Sequence, residues 1–144
     1  MNVKDLLNKK GRAVYSASSD TTVFDALKLL VEKNIGSIVI VDNDQMSGIF
    51  SERDYARKVV LLGRVSRETL LADIMTRHVI TVKETNSIEQ CMVLMSDNKI
   101  RHLPVVADDN EKKVIGVLSI SDIVRAVIEQ QEQTIEHLHQ YIQS

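Results

Sequence analysis

Tryptophan is absent from this 144-residue chain, and Phe, Trp and Tyr together make up only 3% of it. So few aromatic rings supply no platform on which nucleic-acid bases could stack. Charge of one sign is also lacking: 18 Lys and Arg stand against 20 Asp and Glu, a net of −2, with the basic residues scattered. That excludes a concentrated basic face for a phosphate backbone. The single cysteine, Cys91, excludes an intrachain disulfide. It lies in a helical pattern between Ile88 and Leu94 and reads as a small buried thiol. Without a disulfide framework the expected compartment is the cytoplasm. No apolar run reaches membrane-spanning length, and the start Met-Asn-Val-Lys-Asp lacks the apolar core of a signal peptide. No Ser/His/Asp set, Cys/His pair, metal-ligand cluster or Walker-type loop is visible, so no enzyme is expected. His137 and His139, two apart on a helix, point in different directions and read as solvated. Asp108-Asp-Asn-Glu111 lacks the glycine and spacing of a Ca²⁺ loop and reads as a solvated turn.

What remains is ordinary globular composition, 44% hydrophobic and 26% charged, with no long disordered region expected. Residues 3–9 suggest a short helix around Leu6 and Leu7, ended by Gly11, and Val14-Tyr-Ser16 an extended piece. Thr22, with Asp25 three places on, starts a helix whose buried face carries Val23, Ala26, Leu27, Leu30 and Val31. Asn34 and Gly36 close it. Ser37 to Val41 is apolar nearly throughout and reads as a strand covered on both faces. Asp42 to Gln45 is a turn, Met46 to Phe50 the returning strand, and Ser51 opens a helix with Tyr55, Val59 and Leu62, ended by Gly63. Arg64 to Thr69 is polar and Leu70 to Met75 a helical turn.

The order then repeats. Val79-Ile-Thr81 is extended; Ser87 with Gln90 starts a helix lined by Ile88, Cys91, Met92 and Met95, and Met75 reads as core as well. Leu103 to Val106 is a strand, Asp108 to Lys113 a charged turn, Val114 to Leu118 the returning strand, and Ser119 opens the last helix. Val14, Leu29, Ile35 and Val41 align with Val79, Leu94, Ile100 and Val106 at one constant offset. Gly48, Ser51, Asp54, Arg57 and Val59 align with Gly116, Ser119, Asp122, Arg125 and Val127 at a slightly longer one. The change of offset falls in a hairpin turn, where insertions are tolerated. The chain is therefore an α/β (α+β) tandem β-α-β-β-α duplication with expected pseudo-twofold symmetry and two related clefts between the halves. The expected division is a lead-in helix 1–12, repeat 1 at 13–63, a linker 64–77, repeat 2 at 78–130 and a helical extension 131–144.

Each repeat ends one strand and opens one helix with the same pattern: Gly48-Ile-Phe-Ser-Glu-Arg-Asp54 and Gly116-Val-Leu-Ser-Ile-Ser-Asp122. A strand-to-helix corner presents backbone N–H groups and the positive end of a helix dipole, which suit a phosphate. An aspartate in the first turn can accept hydrogen bonds from sugar hydroxyls. Arg57 and Arg125, three residues beyond each aspartate, suit phosphate. The plainer reading is that Ser-x-x-Asp is a helix capping box.

The tandem repeat, the two Gly-h-h-Ser-x-x-Asp ends (h, hydrophobic), Lys99-Ile-Arg-His-Leu-Pro-Val-Val106 and the linker Asp73-Ile-Met-Thr76 together resemble the CBS domain family, over about residues 5–130. The resemblance implies a CBS pair, or Bateman module, that binds adenosine-type ligands such as AMP, ADP, ATP, NAD or S-adenosylmethionine. It implies that Asp54 and Asp122 hold ribose and that Ser51, Ser119 and Ser121 donate toward phosphate. Arg101 and His102 become phosphate partners. Ser16 and Thr81, with the backbone of 37–39 (from Ser37) and 102–104 (including Leu103 and Pro104), frame adenine. The repeats differ: Gly36-Ser37 stands for Arg101-His102, Val39 for Pro104, and Glu52-Arg53 for Ile120-Ser121. The clefts should therefore differ, and the one holding Asp122 should be the better, since Ser121 replaces Arg53 there and Glu52 would repel phosphate.

No effector domain is visible, so the expected function is a regulatory sensor acting in trans on an unknown client protein; a ligand-free dimerising scaffold is the alternative. A homodimer is expected because one pair leaves the apolar faces of its Ser51 and Ser119 helices uncovered. On the last helix Ile128, Ile135, Leu138 and Ile142 form a narrow seam suited to a partner helix, with packing on its own domain as the alternative.

Overall fold

In a computed structural model, described for residues 1–143, the duplication appears as two small sheets, each backed by helices. Helix α1 (Val3–Lys10) is capped at both ends: Asn2 and Asp5 form a reciprocal box, and Gly11, at φ 104, closes it. Strand β1 (Ser16–Ala17) runs parallel to β2 (Ser37–Asp42), which pairs antiparallel with β3 (Gln45–Ser51). Between them lies α2 (Val23–Lys33), with the Thr22 hydroxyl accepting from Asp25 N–H and Asn34 closing the helix at φ 52. In the second repeat, α5 (Ile88–Asn98) carries the reciprocal Ser87–Gln90 box and precedes the antiparallel pair β4 (His102–Ala107) and β5 (Asn110–Ser119).

Several elements differ from the sequence reading. The extended piece at Val79 to Thr81 is reduced to one parallel bridge, Val82 to Val105. The charged turn is shorter than expected, because β5 already begins at Asn110. The Ser51 helix is only α3 (Glu52–Asp54) before it widens into a π-helical stretch, Tyr55–Val60, with Leu61 N–H reaching back to Ala56 O and Arg64 N–H to Val59 O. That change of period keeps Val59 buried but turns Leu62 outward with Val60 and Leu61. Val31 and Met92, read as core, are exposed, since each lies just off the buried stripe of its helix.

The packing is exchanged between the repeats. α1 precedes the first repeat but packs on the second, where Val3 and Leu7 join Ile88, Cys91, Leu103 and Leu118 in one core. The linker helix α4 (Leu71–Ile74) precedes the second repeat but packs on the first, with Leu71 and Ile74 against Val23, Ile38, Ile40 and Phe50. Matching bridges anchor both: Asn2 pairs with Ser87, and Leu70 with Thr22. Val39, Met46 and Val106, from both sheets, form the seam between repeats. The last helix, α6 (Ile120–Gln143), extends far beyond its repeat, with Ile128, Ile135, Leu138 and Ile142 exposed. No helix among the described residues is long and apolar enough to cross a membrane.

Candidate functional site

The exchanged packing decides what surrounds each Ser-x-x-Asp corner, and the two motif glycines permit it. A Cβ on Gly116 would stand 2.8 Å from Leu7 Cδ2, and one on Gly48 would stand 2.7 Å from the Thr76 carbonyl oxygen. Only glycine lets α1 and the linker come so close to the strands that end at the corners.

Both corners are capping boxes. Ser51 N–H donates to Asp54 Oδ2 at 3.0 Å and Asp54 N–H to Ser51 Oγ at 3.3 Å. Ser119 N–H donates to Asp122 Oδ2 at 2.8 Å and Asp122 N–H to Ser119 Oγ at 3.2 Å. The next N–H of each corner is taken too, Glu52 by Gly36 O and Ile120 by Arg101 O. The backbone cradle expected from the sequence is thus largely consumed by capping and by the neighbouring strand, which leaves side chains as the free polar groups of each corner. The same contact sets Arg101 and His102 beside the second corner.

The carboxylates differ in what else they hold. At Asp54 both oxygens are engaged. Oδ2 also accepts from Ser51 Oγ at 3.1 Å, while Oδ1 meets Lys58 Nζ at 3.2 Å and accepts from Thr76 Oγ1 at 3.2 Å. At Asp122, Oδ2 meets Lys10 Nζ at 2.6 Å, while Arg125 Nη1 stands 3.9 Å from Oδ1. Among the described residues no hydrogen bond reaches that Oδ1. Asp122 is buried. Burial alone would push its carboxyl up, but Lys10 and the Ser119 donors outweigh that and hold it below its ordinary value. Lys10 also donates to Val117 O at 2.5 Å. At the matching place in the first repeat, Ile49 O accepts from Thr76 N–H. Lys10 thus stands in for the linker, and Lys58 has only Ala126 as its counterpart.

His102 lies across the repeat boundary: a Cβ on Gly36 would be 3.1 Å from its Nε2. Burial first, then the Lys10 charge, lowers its pKa; Asp122 acts the other way, and Arg101 lowers it further. The imidazole is therefore neutral at pH 7.

The other sequence candidates scatter. Ser121, Arg57, Arg101 and Arg125 are exposed around the corners, as is Ser16 on β1, while Thr81 is half-buried beside the Val82 bridge. Ser37 is buried at the start of β2, and the Leu103 side chain is core. Pro104 O accepts from Val82 N–H, so that carbonyl is already paired. Arg53 reaches away from its own corner and donates to Lys99 O at the end of α5. A groove of about 600 Å³ on the outer face of α5 and α6 is lined by Arg53, Lys99 and Arg101 and by Met92, Val124 and Ile128. It includes neither Asp54 nor Asp122 and is distinct from the corners. Sequence reasoning missed Lys10, Lys58 and Thr76. Lys58, four residues after Asp54, carried an i,i+4 signal, whereas Lys10 is far from Asp122 in the chain.

The CBS domain pattern matches twice, at residues 3–61 and 71–129. This chain belongs to the CBS domain family. It is 38% identical over 150 residues to the mitochondrial CBS domain-containing protein CBSX3 of Arabidopsis thaliana, covering 98% of this chain and 71% of that one. A putative signal-transduction protein with CBS domains from Burkholderia ambifaria superposes with a TM-score of 0.84 at 42% identity, covering 91% of this chain and 96% of that one. The CBS pair of protein MJ0100, solved in complex with 5′-methylthioadenosine and S-adenosyl-L-methionine, superposes with a TM-score of 0.77 at 30% identity, covering 90% and 98%.

Proposed function

We propose that this CBS pair is a regulatory, non-catalytic module that binds an adenine nucleotide of the AMP, ADP, ATP or NAD class and signals its occupancy in trans to a client protein. The observation that carries the reading is the inequality of the carboxylates. Asp54 has both oxygens engaged, whereas Asp122 keeps Oδ1 without a hydrogen bond, beside Lys10, Arg125 and His102. A ribose diol needs an acceptor, and a phosphate needs cations and hydroxyls such as Ser119 and Ser121; both needs meet at the second corner. The ligands of the MJ0100 pair, both adenosine derivatives, support the adenosine part of that ligand. Occupancy would change shape through differential affinity, by favouring one arrangement of the repeats or of the assembly.

The assembly in this reading is a homodimer. Val60, Leu61 and Leu62 on the first repeat, and Val124, Ile128, Ile135, Leu138 and Ile142 on α6, expose more apolar surface than isolated residues would. The proposed location is the cytoplasm, where nucleotides are abundant and Cys91 stays reduced; cell fractionation checks it. The test of function is a melting curve with each nucleotide at millimolar concentration, since a ligand preferring the folded state raises the midpoint by mass action. A midpoint unmoved by all of them favours the scaffold alternative, in which Ser-x-x-Asp only caps.

A further inference from the structure

Lys10 is the last residue of α1, and its ammonium performs two tasks at once, on Val117 O at 2.5 Å and on Asp122 Oδ2 at 2.6 Å. In the first repeat the equivalent tasks fall to the Thr76 backbone, the Thr76 hydroxyl and Lys58. Backbone pairing fixes Thr76 in place. Lys10 instead reaches its partners through a flexible four-carbon stem and remains a third exposed. It is a compact, movable charge.

The charges around it are unbalanced. Two cations, Lys10 and Arg125, meet the one carboxylate of Asp122, while burial and Lys10 keep His102 neutral. A neutral nucleoside whose two diol hydroxyls took both Asp122 oxygens would displace Lys10 from Oδ2 and offer its ammonium nothing in return. A sulfonium ligand would add another positive charge. A phosphorylated nucleoside presents both a diol for Asp122 and an anion for the displaced ammonium. We propose that Lys10 is a specificity-determining residue that turns from Asp122 to the ligand's phosphate, so that the second corner selects anionic adenine nucleotides over neutral or cationic adenosine derivatives. This rests on the sensor reading above and names the ligand class within it. It also separates this chain from the MJ0100 pair, whose ligands include a nucleoside thioether and a sulfonium.

The experiment titrates the wild type, Lys10→Gln and Lys10→Arg calorimetrically with AMP, adenosine and S-adenosylmethionine. Glutamine keeps a donor for Asp122 and Val117 while removing the charge, and the fold of each variant is checked by its melting curve. The wild type should prefer AMP to adenosine by tenfold or more. Lys10→Gln should weaken AMP by about ten- to a hundredfold, the loss expected for one charge-assisted hydrogen bond. It should leave adenosine within about threefold, and Lys10→Arg should restore the preference for AMP. Equal weakening of AMP and adenosine in Lys10→Gln overturns the inference and makes Lys10 a purely structural brace, as does an unchanged preference. If Lys10→Gln does not fold, Lys10→Arg and the wild type still decide: no preference for AMP in either overturns the inference while leaving the sensor reading intact. A wild type that binds no adenine compound overturns both.

Discussion

Leu7 and Gly116 should be energetically coupled, because the absence of a side chain at Gly116 makes room for the tip of Leu7. Leu7 is fully buried, in one core with Ile88, Leu103 and Leu118. Leu7→Ala removes this plug and should cost about 2–5 kcal/mol, the range for buried leucine truncations. Gly116→Ala places a methyl 2.8 Å from Leu7 Cδ2 and 3.0 Å from Cδ1. Overpacking of this kind costs about 1–3 kcal/mol, offset in part by the 0.4–1 kcal/mol or so gained when alanine restrains the unfolded chain. In the Leu7→Ala background the clash disappears and the methyl refills part of the cavity. Gly116→Ala should then become neutral or stabilising, giving a coupling energy of about 1–3 kcal/mol. Urea unfolding followed by far-ultraviolet circular dichroism, at one fixed protein concentration, reads all four corners of the cycle. Additive effects, with coupling below about 0.5 kcal/mol, would refute the close approach of α1 to β5 and with it the placement of Lys10 at Asp122.

Three further outcomes follow from the same packing. Gly48→Ala should destabilise more than Gly116→Ala, since its methyl would meet the Thr76 backbone oxygen at 2.7 Å rather than a movable side-chain tip; the two urea midpoints compare them. His102 has its pKa lowered from 6.5 by burial and by Lys10 and Arg101, against Asp122. The unfolded chain therefore takes up the proton first as pH falls, and stability should be fully present above about 6.5 and decline below it. His102→Gln should lose that part of the slope between pH 7 and 5, and an unchanged slope would refute the assignment. Leu61→Glu and Ile135→Glu each put a charge on an exposed apolar surface assigned to the homodimer; light scattering should report a shift toward monomer, and a wild-type monomer at micromolar concentration would remove the dimer.

Local chemistry carried much of the fold into view from the sequence. Ser87 with Gln90, Thr22 and Asn34 are caps whose side chains or φ preferences act within one turn, and all three form, although Asp25 does not return the Thr22 bond as Gln90 returns that of Ser87. The duplication was legible because two copies of one pattern keep constant offsets. Long-range placement was not legible. Nothing in residues 3–10 says that their apolar stripe completes the second repeat rather than the first, so the partnership of Lys10 with Asp122 was hidden. Val31 and Met92 carry the right polarity for a core but sit at the edge of their stripes, where apolarity alone does not decide burial. The widening to a π-helix after Asp54 left no mark in Tyr55-Ala-Arg-Lys-Val-Val60, an ordinary helical composition.

The central claim, that the Asp122 corner is the principal nucleotide site, is tested most directly by calorimetric titration of AMP, ATP and NAD into the wild type, Asp122→Ala and Asp54→Ala, with melting curves alongside. Asp122→Ala should weaken the tightest binding event by about ten- to a hundredfold, as expected for the loss of one or two hydrogen bonds. Asp54→Ala should weaken at most a second, poorer event, because that carboxylate is already engaged by Ser51, Lys58 and Thr76. Loss of the tight event in Asp54→Ala with its survival in Asp122→Ala would reverse the assignment. If both variants lose only about 1 kcal/mol of stability and keep wild-type affinity, the two motifs are helix caps and nothing more.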